Sequence, residues 1–107
     1  MNLVEFLEER LAEDEATARA ACEGGESWDA ESTSPIQRHI DRHDPARVLR
    51  RVEAGHKLLA EYARISASLA AYRGPTQAAA FMAMQTALKI EAQVYSDHRE
   101  FEEAWRV

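Results

Sequence analysis

With 107 residues, 46% of them hydrophobic and 30% charged, the chain has the composition of one globular domain rather than of a disordered protein. Its formal net charge of −6 argues against general nucleic-acid binding, which depends on neutralising phosphates. No apolar run approaches the ~18 residues of a membrane span, and the acidic start lacks the basic and apolar regions of a signal peptide. The single cysteine, Cys22, permits neither an intrachain disulfide nor a CxxC metal pair, so a cytoplasmic setting is expected.

Asn2 stands three residues before Glu5, the spacing of a capping box. Val4, Leu7, Leu11, Ala18 and Cys22 then follow at largely helical intervals. They predict a first helix over about residues 3–22, stopped by Gly24-Gly25, with Cys22 read as a small buried side chain. Residues 24–34 are polar, and Trp28 is their only large apolar group. Ser34 and Pro35 can start a short additional helix over about residues 35–43. Asp44-Pro45 is the clearest punctuation, with the aspartate able to cap a helix and the proline fitting its first turn. The helix that follows, over about residues 45–73, carries a stripe of Val48, Leu49, Val52, Leu59, Tyr62, Leu69 and Tyr72. Gly55 interrupts it at a cost of roughly 1 kcal/mol against alanine, which suits a close helix crossing. Gly74-Pro75 breaks the chain again. A third long helix, over about residues 75–95, has Phe81, Met84, Leu88 and Tyr95 on one stripe, with Ala80, Ala83, Ala87, Ile90 and Val94 beside it. So wide an apolar face suits neighbours on two sides. The tail, with Phe101 and Trp105, can add a last short helix, and no stretch shows strand alternation. The expected fold is all-α: one domain over residues 1–107, built as a three-helix bundle with a short extra helix before the second long one.

Charge is unevenly spread. Residues 1–34 hold ten acids against two arginines, a net −8; residues 35–73 are +4 and residues 74–107 are −2. Arg38, Arg42, Arg47, Arg50 and Arg51 cluster around Asp44-Pro45, where they can receive a phosphate or a partner's carboxylates, or neutralise the acidic first helix. The last reading is favoured, because the charges are complementary. His39 and His43 share one helical face and can hold a transition metal only with further ligands, for which His56 and His98 are candidates by elimination. The glutamate after the first histidine that HExxH requires is absent. Glu5, Glu8, Glu9 and Glu13 loosely match the magnesium-binding ExxE clusters of all-α pyrophosphatases, without a second acidic pair on a facing helix.

Three segments, LVEFLEERLAEDEATARAA (residues 3–21), HIDRHDPARVLRRVEAGHKLLAEY (39–62) and YSDHREFEEAWRV (95–107), resemble a family of short uncharacterised proteins of actinobacteria and their bacteriophages. The H-I-x-x-H-D-P-x-R-V-L pattern at residues 39–49 is the most specific part. The chain departs from the family in a shortened stretch after the tryptophan and in lacking cysteine pairs. The resemblance implies no activity, cofactor or catalytic residue. It implies that the aromatic tail packs against the HDP joint.

The function expected is therefore non-enzymatic: a small accessory protein that binds another protein, without cofactor, nucleic acid or membrane. Alternatives are a metal- or nucleotide-handling enzyme using His39/His43 or the Glu5–Glu13 cluster, and a helix-turn-helix DNA binder over residues 35–55. Alanine-rich helices bury little area each, leaving a thin core. The expected partner-binding residues are Phe81, Met82 and Met84 with Arg42, Arg47, Arg50 and Arg51. The uncovered apolar face is expected to pair with a second copy in a homodimer or with a partner helix, unless residues 24–34 fold over it.

Overall fold

The computed structural model describes residues 1–23 and 44–107. Three α-helices account for most of them: α1 (Leu3–Glu23), α2 (Pro45–Tyr72) and α3 (Pro75–Ala92), followed by 3-10 turns at Gln93–Tyr95 and Glu103–Trp105. No strand occurs among the described residues. The all-α three-helix bundle expected from the periodicity is what forms; the short helix expected at 35–43 lies outside the described residues.

Each helix starts where its capping residues dictate. The Asn2 side chain accepts the Glu5 N–H at 2.8 Å and donates to the Glu5 carboxylate at 3.1 Å, a reciprocal cap. Asp44 accepts the Arg47 N–H at 2.8 Å and Pro45 takes the first helical position. At the other end of α2 the residue in the left-handed region is Arg73 (φ 46°), not the adjacent glycine; its N–H bonds the Leu69 carbonyl. Gly74 is extended and serves as the N-cap of α3. A Cβ there would meet the end of the Gln77 side chain, which can turn aside. α3 stops three residues short of expectation, and Gln93 marks why: its side-chain amide donates to the Lys89 and Trp105 carbonyls, both at 2.7 Å, and ties the end of the helix to the tail.

The helices run antiparallel in sequence. Val4 borders Tyr62, Leu11 meets Gly55, and Asp14 lies beside Val48 and Arg51. A Cβ at Gly55 would meet the Leu11 methyls at 2.9–3.0 Å, so this glycine makes the close α1–α2 crossing. Phe6, Leu7 and Leu88 are fully buried, with Leu11, Val52, Leu59, Ala92 and Trp105 around them. At roughly 25 cal/mol per Å² of apolar surface, each of the large ones contributes about 2–3 kcal/mol. Cys22, expected to be buried, is exposed, because Ala18 is the last buried residue of α1.

Candidate functional site

Two places in the molecule concentrate features that a bare helical bundle does not require. The first is where the tail meets α1. The Phe6 ring is surrounded edge-on by Tyr95, His98 and Phe101, and lies 5.0 Å from the Trp105 ring. Arg10, one turn on, is the one charged residue buried among the described residues. Its guanidinium sits 5.3 Å over Phe6, and Nη1 donates to Nδ1 of His98 at 3.0 Å. Nη2 pairs with Glu13 at 3.1 Å and Glu9 at 3.4 Å; Glu100 approaches Nη1 at 3.8 Å. Its Nε is buried with no hydrogen-bond partner among the described residues. Nearby, the Tyr95 hydroxyl donates to Asp14 at 2.6 Å. Burial raises the Tyr95 pKa first, and the hydrogen bond and charge of Asp14 add to it. These contacts clasp the tail onto α1.

This clasp corrects two expectations. Trp105 packs towards Leu3, Val4 and Leu88, at the end of the bundle away from the HDP joint; only Tyr95 reaches the groove that Val48 and Arg51 line. His98, a metal ligand by elimination, has its Nδ1 occupied by Arg10 and the Glu100 N–H. Phe6 and Arg10 escaped the sequence reading. Phe6 lies off the Val4–Leu7–Leu11 stripe and has Glu9 and Arg10, not apolar residues, three and four positions on, so no periodicity marks it.

The glutamate cluster is spread over several tasks: Glu5 completes the cap, and Glu9 and Glu13 serve Arg10. Among the described residues no three His, Cys, Asp or Glu side chains are grouped to hold a metal. His39, His43 and Arg42 lie outside the described residues. Arg47, Arg50 and Arg51 are exposed on the first two turns of α2. Arg50 and Arg51 face Glu15 and Asp14 of α1 across open grooves. Among the described residues no ion pair joins any of the three arginines to α1. Exposed charges gain little by closing such gaps, and the direct ion pairs to the α1 carboxylates are made by Arg10 and Arg19 of α1 itself.

The second place is the hairpin of α2 and α3. From Ile65 to Leu88, Arg73 is the only charged residue in 24. Yet no residue between Leu59 and Leu88 is buried. α1 begins at Leu3, level with about residue 63 of α2, so beyond it only two helices pack together among the described residues. Phe81 is half-buried and rests on Tyr62, ring centroids 5.4 Å apart. Met84 is half-buried, Met82 is 67% exposed and Tyr72 76%. The expected partner-binding residues Phe81, Met82 and Met84 thus stand on one projection whose single charge is Arg73, remote from Arg47, Arg50 and Arg51. Further along, Ile90 of α3 and Val94 of the following turn are also exposed. No helix among the described residues is long and apolar enough to cross a membrane.

The sequence model of a family described as "Family of unknown function (DUF6221)" matches residues 1–107, and the chain belongs to that family. No curated protein and no solved structure matches the chain.

Proposed function

We propose that this member of a family of unknown function is a non-enzymatic accessory protein that acts by binding another protein chain through the α2–α3 hairpin. One observation carries the reading: the least charged stretch of the sequence, residues 65–88, holds no buried residue before Leu88. Water-facing surfaces of small domains are normally about 25–35% charged, whereas the centres of protein interfaces are depleted of charge and enriched in aromatic residues and methionine. Tyr72, Phe81, Met82 and Met84 on this projection fit the second description. The sharing-out of the α1 glutamates between a helix cap and Arg10 supports a structural role for them over magnesium chemistry. The net negative charge weighs against the helix-turn-helix reading. The likeness of residues 3–21, 39–62 and 95–107 to short proteins of actinobacteria and their phages supports a cytoplasmic, phage- or prophage-related setting.

A photo-crosslinking residue placed at position 82 of the full chain, in producing cells, tests this. Discrete adducts are expected from position 82 and none from the exposed position 12 on α1. No adduct from position 82, or equal adducts from both, overturns the reading.

A further inference from the structure

We propose that the clasp is a pH-sensitive strap: protonation of His98 frees the tail from α1 and uncovers Phe6. Nδ1 of His98 accepts two N–H groups at once, from Nη1 of Arg10 at 3.0 Å and from the backbone of Glu100 at 3.1 Å. Both are obligate donors, since a guanidinium and a peptide amide keep their protons. Nε2 lies against the same guanidinium nitrogen. The neutral imidazole keeps one lone pair for these donors. The imidazolium keeps none, because both of its ring nitrogens donate. A protonated His98 therefore has to leave its place beside Arg10.

The charges around the ring are unequally placed. On α1 they are Arg10, with Glu9 and Glu13 on its Nη2 side; on the tail they are Glu100 and the exposed chain neighbours Asp97 and Arg99. The Arg10 side chain is 6% exposed, whereas those of Glu9, Glu13 and Glu100 are 53%, 64% and 39% exposed. Water thus screens the pull of the three carboxylates on an imidazolium far more than the repulsion from a guanidinium in direct contact with it. Nε of Arg10 is already buried without a partner among the described residues. Loss of the histidine adds a second unsatisfied donor to the same buried group. The rings set against Phe6, those of Tyr95, His98, Phe101 and Trp105, all follow α3 in the chain. Departure of the tail therefore bares a fully buried phenylalanine.

Once free, the tail takes up a proton at its histidine with ordinary imidazole affinity, near pH of about 6.5. The held form takes up none, so the clasp is at full strength above that pH and weakens below it. From pH 8 to pH 5 the ratio of free to held tail is expected to rise about thirtyfold, approaching tenfold per pH unit at the acid end. Hydrogen exchange at the amides of Phe101 and Trp105, which bond carbonyls within the tail, reads this ratio once the rates are corrected for the intrinsic effect of pH. His98→Asn and His98→Gln, whose amide oxygens stand for Nδ1 and Nε2 and accept at any pH, remove the rise. His56→Asn, at an exposed position of α2, leaves it intact. Circular dichroism above neutral pH confirms that the variants fold. A wild-type ratio that stays constant over this range, or a rise that survives both substitutions of His98, overturns the proposal.

Discussion

The two ends of this bundle solve the problem of a thin core in opposite ways. At the clasped end, α1, the lower half of α2 and the tail enclose Phe6, and a buried arginine is held by a histidine and three carboxylates. At the hairpin end only α2 and α3 pack together among the described residues, and the least charged stretch of the chain contributes no buried residue before Leu88. The first buries its aromatic and charged groups; the second leaves Tyr72 and Met82 exposed. A helical domain of this size needs about three packed elements to close a core, and α1 is too short to be the third for the whole length of α2.

The sharpest way to break the comparison is to truncate one aromatic at each end. Phe6→Ala empties a fully enclosed site and is expected to cost about 3–5 kcal/mol, a large share of the ~5–15 kcal/mol typical of a domain. Phe81→Ala removes a half-exposed ring stacked on Tyr62 and, in dilute solution, is expected to cost less than half as much. Urea denaturation of the two variants checks this, and equal losses would mean that the hairpin is as well packed as the clasp.

A smaller effect reports on the clasp alone. Tyr95→Phe loses the hydrogen bond to Asp14, about 1 kcal/mol at neutral pH. The folded-state pKa of this phenol is raised, so its contribution is fully present below the unfolded value of about 10. That contribution declines as pH climbs above this value, because the unfolded chain ionises first. The stability gap between wild type and Tyr95→Phe is therefore expected to narrow between pH 9 and pH 11. A gap that stays constant over this range would show that the hydroxyl is as solvated as that of an ordinary exposed tyrosine.

Local signals in the sequence were read correctly where they act through backbone chemistry. Asn2 with Glu5, Asp44-Pro45 and the Gly74-Pro75 break each depend on residues within four positions, and each forms as its chemistry requires. Gly55 was legible for the same reason: a residue without Cβ in a long helix marks a close neighbour. What could not be read was contact across 80 residues and more. Nothing local in Arg10, Asp14, Tyr95 or His98 says that they meet, and 81 and 88 positions separate the partners. The direction of the tail was misjudged for that reason. The hairpin was half legible. The wide apolar face of α3 was visible as a pattern, but that α1 stops level with residue 63 depends on the crossing at Gly55, a tertiary fact. At the α2–α3 corner, Arg73 rather than the adjacent glycine adopts the left-handed conformation, while Gly74 is extended as the N-cap of α3.

Hydrogen exchange of the intact chain in dilute solution, read amide by amide, tests the division between the two ends most directly. Amides of residues 65–82 are expected to exchange at least about tenfold faster than those of Phe6–Leu11 and Val52–Leu59. Uniform protection along α2 would contradict it, because the hairpin would then be as stable as the clasped end.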